Sequence, residues 1–170
     1  MRKVILGVAV SLDGFIEGPN GEYDWCFSDQ DYGLKDFMKR IDALVMGRKT
    51  YTMMADFSGP NPWKGFATYV ASKTLKEVKA ENTFLISGDL ETEMKKMKES
   101  AGEDIWLFGG ASLTTAFVNL GLVDEFWLAV HPIILGAGKP LFQNINDRKK
   151  LTLLESKTYD TGLVSLKYGC

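Results

Sequence analysis

Histidine and cysteine are nearly missing from this 170-residue chain, which has one histidine, His131, and two cysteines, Cys26 and Cys170. A zinc centre built from Cys and His would need all three together with a carboxylate, so no metal site is expected. The cysteines lie far apart and form no closely spaced redox or metal pair. A charge excess is missing too: 20 Lys and Arg stand against 22 Asp and Glu, a net charge of −2. No global basic field recruits nucleic acid, and Arg148-Lys149-Lys150 reads as a solvated loop. No apolar run is long enough to span a bilayer. The first such run, Val4 to Val10, lacks a small-residue cleavage site and is interrupted at Ser11-Leu12-Asp13-Gly14, so it reads as a strand and not as a signal peptide. A reduced, cytoplasmic protein is the expectation.

What is present is ordinary in amount and informative in order. Hydrophobic residues make up 45% and charged residues 25%, as in soluble globular chains. A chain of this length can bury roughly 70% of its unfolded surface in one domain. No repeat and no Pro/Gly/Ser linker divides residues 1–170, so one domain is expected. Strand signals fall at Val4–Val10, Ala43–Met46, Thr68–Ala71, Thr83–Ile86, Ile105–Phe108 and Glu125–Ile134. Helix signals fall at Leu34–Ile41, Arg48–Ala55, Leu90–Ser100 and Ser112–Leu120, where apolar residues recur at helical spacing or a cap precedes the run. Leu151–Tyr159 and Leu163–Tyr168 read as an antiparallel hairpin across Asp160-Thr161-Gly162. The fold class is α/β, a mixed and mostly parallel sheet flanked by helices, with an antiparallel C-terminal hairpin.

Four of the strands stop in the same manner, at Gly47-Arg48-Lys49-Thr50, Ala71-Ser72-Lys73-Thr74, Ser87-Gly88-Asp89 and Phe108-Gly109-Gly110-Ala111-Ser112. Ligands of open α/β sheets bind beyond the carboxyl ends of strands, where helix N-termini offer unpaired N–H groups to phosphate. The glycine pair lets a phosphate approach main-chain N–H groups, though it also serves as a tight strand-to-helix turn. It is neither GxGxxG nor a P-loop. Arg48 and Lys49 stand at a helix start, where cations are disfavoured, and that placement calls for an anion. Ser72-Lys73-Thr74 reads either as a second such site or as a capping turn. Gly136-Ala137-Gly138-Lys139-Pro140 has no helix after it and reads as a bend, with a place near the ligand as the alternative.

Candidates for proton chemistry are the carboxylates nearest this rim: Asp13, Asp29 and Asp31. Asp13 equally fits a turn aspartate, and the other two fit helix N-terminal charges. Ser11, Trp25, Phe57 and Trp63 are candidates to face a ring-shaped substrate, or to sit in the core. His131, before Pro132, reads as a structural histidine or a general acid.

In order, Val8-Ala9-Val10-Ser11-Leu12-Asp13-Gly14, Val45-Met46-Gly47-Arg48-Lys49-Thr50-Tyr51, Ala71-Ser72-Lys73, Phe108-Gly109-Gly110-Ala111 and Leu135-Gly136-Ala137-Gly138-Lys139-Pro140-Leu141-Phe142 resemble the dihydrofolate reductase-like superfamily. Within it the chain is most similar to the reductase domain of the bifunctional riboflavin-biosynthesis deaminase/reductase and to small stand-alone bacterial proteins of that group. The resemblance implies an NADPH-dependent reductase. Arg48 and the Ser72-Lys73 turn would hold the 2′-phosphate, with Gly47 and Ala71 at the strand ends beneath them. Lys49 and Thr50 would face the diphosphate from one helix start; Gly110, Ala111, Ser112 and Leu113 would face it from another. Ala9 and Ile16 would border the nicotinamide, and the Gly109–Gly110 bond would be cis. Related reductase domains are often dimeric, and Phe126, Trp127, Tyr159 and Tyr168 are expected to form an exposed homodimer interface.

Two departures bear on the substrate. Folate-reducing members carry an acid one turn into the first helix, a place that falls near Gly33 here, with Asp31 close but not aligned. The His-x-Glu and Pro-Cys-x-x-Cys motifs of the zinc deaminase half do not occur, so another protein would deaminate a riboflavin precursor. A folate-type reductase and a non-catalytic NADPH sensor are the rival expectations.

Overall fold

The structure is a computed structural model, described here for residues 1–55 and 63–170. In chain order the elements are β1 (Val4–Ser11), β2 (Phe15–Glu17), α1 (Leu34–Lys39), β3 (Ile41–Gly47), α2 (Arg48–Ala55), β4 (Ala67–Ala71), β5 (Thr83–Ile86), α3 (Leu90–Glu99), β6 (Asp104–Gly109), α4 (Ala111–Asn119), β7 (Glu125–His131), β8 (Lys139–Pro140), β9 (Thr152–Thr158) and β10 (Val164–Gly169). An eight-stranded sheet has the order β5-β4-β3-β6-β1-β7-β10-β9. The strands from β5 to β7 run parallel, while β10 is antiparallel to both β7 and β9. β2 and β8 form a separate two-stranded ribbon. This is the expected mixed, mostly parallel sheet with its C-terminal hairpin.

The apolar runs of β1, β3 and β6 fill the middle of the sheet because helices cover both faces, so both side-chain sets of each strand are buried. Leu6, Leu107 and Phe117 pack in one core cluster, on the α4 side; Ile5, Phe37, Leu44 and Trp106 pack in the other. Full burial of such a side chain contributes about 1.5–3 kcal/mol. At Gly7, on β1, an added Cβ would lie 2.9 Å from the Trp106 indole nitrogen. Glycine there lets that N–H donate to the Gly7 carbonyl at 2.9 Å.

Three expectations change. The first helix ends at Lys39, and Ile41 is the buried first residue of β3, not the last apolar position of the helix. Arg40 stops the helix because its guanidinium is held by Asp104 and Glu125, and Ile41 then enters the ladder opposite Asp104. β7 ends at His131, three residues short of Ile134. The aromatic residues expected at an exposed interface are mostly covered: Phe126 is buried, Trp127 packs on Phe37, Tyr159 on Tyr32, and Tyr168 on the core. The exposed apolar residues of that region are Leu151, Leu153 and Leu154, the last two on the edge strand β9.

Candidate functional site

Because β3, β4, β5 and β6 are parallel neighbours, their carboxyl ends at Gly47, Ala71, Ile86 and Gly109 share one rim. A cavity of about 630 Å³ opens over it. Gly47, Arg48, Lys49 and Thr50 line it from β3 and α2; Ala71, Ser72 and Lys73 line it from the end of β4. Gly110, Ala111, Ser112 and Leu113 line it from the start of α4, and Ile16 from β2. Of the cofactor residues expected from sequence, only Ala9 and Gly109 lie outside the lining. Ala9 sits in β1 opposite Ala129 of β7, and Gly109 closes β6. The Gly109–Gly110 bond is cis.

The cavity is cationic and its cations are unsatisfied. Among the described residues Arg48, Lys49, Lys73 and Lys139, all in the lining, make no ion pair. Among the described residues the carboxylate of the lining is Glu17. The helix starts differ in the same sense. At α3 the Asp89 carboxylate accepts the Thr92 N–H at 2.9 Å, and Glu91 and Glu93 occupy the first turn. The Thr92 side chain first, and its N–H second, hold Asp89 below the usual carboxylate range, with Lys73 a smaller contributor. α2 and α4 have no acid in their first turns, and Gly110 at the N-cap of α4 supplies no side-chain cap. Their N–H dipoles and the four cations converge on one space, which suits a ligand with several phosphates. Ser72 makes a turn and not a helix cap: its Oγ accepts the N–H groups of Thr74 and Leu75 at 3.2 and 3.0 Å, and no helix follows.

The residues considered for proton transfer are engaged in holding the fold. Asp13 accepts the Ser11 hydroxyl at 2.7 Å, the Leu135 N–H at 3.1 Å and the Gly136 N–H at 2.8 Å. The Ser11 hydrogen bond leads in holding its carboxyl below the usual range. A carboxylate that accepts three hydrogen bonds fits the turn reading of Asp13. Asp31 is exposed and accepts the Lys35 N–H at 3.0 Å at the start of α1, and Asp29 accepts the Tyr32 hydroxyl at 2.6 Å. Ser11 is buried, and it also accepts the Phe15 N–H at 2.9 Å. With its hydroxyl used twice, Ser11 shapes the β1–β2 turn and does not present a free group to substrate.

The aromatic candidates separate. Trp63 packs edge-on against Trp106 and Phe108, with ring centroids 5.0 and 5.3 Å away, as part of the core around α1. Phe57 lies outside the described residues. Trp25 sits edge-on against His131, 5.3 Å between centroids, and its buried Nε1 has no hydrogen-bond partner among the described residues. His131 is buried and neutral: Nε2 accepts the Phe27 N–H at 3.1 Å, which fixes Nδ1 as the N–H donor to the Ala129 carbonyl at 2.9 Å. Burial lowers its pKa. Cys26, beside Trp25, is pushed up to about 11 by burial and by Asp24, so its thiol stays protonated. The ribbon strands were missed from sequence, and with them Glu17 as a lining residue, while the turn holding Lys139 reads from sequence first as a bend and only alternatively as near a ligand; strands of three and two residues are too short for a periodic signal. The cation in Gly138-Lys139-Pro140 was the one usable hint.

Residues 2–165 match the family model of the RibD C-terminal domain. The uncharacterized protein YyaP of Bacillus subtilis is 44% identical over 98% of this chain and 94% of its own length. The crystal structure of a Shewanella sp. PV-4 protein, provisionally named for riboflavin biosynthesis, superposes with a TM-score of 0.87 at 28% identity, covering 99% of this chain and 98% of that one. The Thermotoga maritima diaminohydroxyphosphoribosylaminopyrimidine deaminase/5-amino-6-(5-phosphoribosylamino)uracil reductase shares the fold, with a TM-score of 0.74 at 15% identity, and this chain covers 57% of it. The sheet order, the cis glycine pair on the rim and the match over nearly the whole length agree, and the chain belongs to the RibD C-terminal domain family, with the dihydrofolate reductase-like fold.

Proposed function

We propose that this protein is an NADPH-dependent reductase of a small heterocyclic or sugar-derived substrate, with 5-amino-6-(5-phosphoribosylamino)uracil as the first compound to test. The observation that carries this reading is the convergence on one cavity of four cations that make no ion pair among the described residues, and of two acid-free helix starts. Its volume of about 630 Å³ falls within the range of small-molecule sites. Arg48, Ser72 and Lys73 would hold the 2′-phosphate; Lys49, Thr50 and the N–H groups from Gly110 to Leu113 would hold the diphosphate. Ala9 and Ile16 would border the nicotinamide. When bound, NADPH supplies a hydride.

The chain's own residues supply position. Trp25 offers a buried N–H with no acceptor among the described residues, beside His131 at the end of β7, and an unsatisfied donor of this kind costs about 1–3 kcal/mol until a partner arrives. A substrate carbonyl or ring nitrogen would be that partner. With Asp13 ionised and Asp31 occupied at a helix start, water is the proton source this reading assigns. Gly33, where folate reductases place their acid, has φ 88, a left-handed conformation suited to glycine. A Cβ there would meet the Tyr159 hydroxyl at 3.6 Å and the Trp127 ring at 3.8 Å. The carboxylates on either side of it are engaged, Asp31 with the Lys35 N–H and Asp36 with Lys39, which favours the pyrimidine substrate over dihydrofolate. The Shewanella relative's assignment to riboflavin biosynthesis supports the same choice. The test follows NADPH absorbance with each compound in turn. Turnover of the pyrimidine and not of dihydrofolate is expected; efficient turnover of dihydrofolate overturns the substrate assignment.

The same proposal includes a homodimer. β9 has an open edge, every residue of it is exposed, and Leu153 and Leu154 project apolar surface there. Uncovered edge strands of this kind template pairing, and the occupant proposed is the β9 strand of a second copy.

A further inference from the structure

The β2–β8 ribbon was not foreseen from sequence, and it brings a cation to the cavity from the side opposite Arg48 and Lys73. Its register sets Phe15 opposite Pro140 and Glu17 opposite Lys139. The ribbon is tied to the end of β1 by main-chain bonds, Leu12 N–H to the Ile133 carbonyl and Leu141 N–H to the Gly14 carbonyl, both 2.9 Å. The Asp13 carboxylate adds its bonds from Leu135 and Gly136. Gly138, at φ 147, stands so close to the other strand that a Cβ would collide with the Glu17 carbonyl oxygen. The backbone of Lys139 is therefore fixed relative to β1.

Lys139 is half-buried and lines the cavity. Opposite charges facing across a ladder ordinarily pair, yet no ion pair joins Lys139 to Glu17, and Lys139 has none elsewhere among the described residues. A partly desolvated ammonium without a partner is unfavourable, and an anion in the cavity removes the penalty. Position along the rim decides which anion. The strand order from Lys73 to the ribbon is β4, β3, β6, β1. Three strand spacings of about 4.8 Å make roughly 14 Å between the ends of β4 and β1, so Lys73 and Lys139 enter the cavity from different parts of the rim. β1 lies between β6 and β7, and β6 leads into the start of α4, the expected diphosphate cradle.

We propose that Lys139 is a phosphate ligand of the cofactor, contacting the diphosphate that NADPH and NADH have in common; this rests on the NADPH reading above. The test is titration of NADPH and of NADH into wild type, Lys139→Gln and Lys139→Arg, with thermal melting of each free protein. Lys139→Gln should weaken both nucleotides by a similar factor, about ten- to a hundred-fold, the loss expected for a charge-assisted hydrogen bond, and Lys139→Arg should restore most of it. Lys139→Met, which keeps the aliphatic stem, replaces the glutamine variant if melting shows that one perturbed. Unchanged affinities overturn the proposal, as does a loss confined to NADPH, which would move Lys139 to the 2′-phosphate. Wild type that binds neither nucleotide refutes the cofactor reading itself, and this proposal with it.

Discussion

The Asp13 carboxylate accepts the Gly136 N–H at 2.8 Å, and so ties the turn after β1 to the segment leading into β8. Asp13 thus acts on the cavity through the ribbon. For Asp13→Ala we predict weaker NADPH binding while the pH profile of turnover keeps its shape, because the residue donates no proton. Binding titrations and pH–rate profiles on the same preparation check this. A variant with wild-type affinity and a profile that has lost its acidic group would return Asp13 to catalysis.

Gly110 stands between two helix starts. Its φ of −82 is open to any residue, and an added Cβ would rest 3.6 Å from the Thr50 Oγ1, an ordinary contact. A branched side chain here would therefore act by its bulk on the ligand and not by straining the turn. Gly110→Val is predicted to fold, as seen by circular dichroism, and to lose NADPH binding because its methyl groups fill the phosphate space. Wild-type affinity in the folded variant would remove Gly110 from the site.

His131 gives a pH dependence whose sign follows from its two bonds. Burial lowers its folded pKa, whereas the unfolded chain protonates it near the ordinary value of about 6.5. Below that value the unfolded state binds more protons, so stability is complete above it and falls as the pH drops toward the lower folded pKa. Protonation places a hydrogen on Nε2 and ends its acceptance of the Phe27 N–H. Urea melts between about pH 7.5 and 5 should show this loss, and His131→Gln should flatten the slope. An identical slope in the variant would assign the loss to other groups.

Association through β9 predicts a sedimentation mass near twice that of one chain. Leu153→Lys should shift it to that of one chain with little change in fold, since Leu153 is 54% exposed. A monomeric wild type at micromolar concentration would contradict the dimer.

Much of the fold was legible because the relevant signals are local. The apolar run Val4–Val10 needs cover on both faces, Asp89 caps α3 as its side chain suggests, and Gly162 at φ 86 turns the terminal hairpin. The lining of the cavity was legible for the same reason, since each strand end carries its own small or cationic residues. The acid assignment was not. Whether Asp13 gives or takes a proton depends on Leu135 and Gly136, 122 and 123 residues away. The role of Lys139 depends on a ribbon with too few residues for a pattern. Tyr159 and Trp127 look exposed in alternating strands and are covered only because α1 and its leading loop fold back on them.

The central claim is a site for a nucleotide with an extra phosphate, and calorimetric titration of NADPH and NADH into wild type and Arg48→Ala tests it most directly. Wild type should bind NADPH the more tightly. Arg48→Ala should lose about 1.5–3 kcal/mol of NADPH binding, the range for hydrogen bonds to charged groups, and lose little of NADH binding. Equal wild-type affinities for the two nucleotides, or an equal loss of both in Arg48→Ala, would contradict the account.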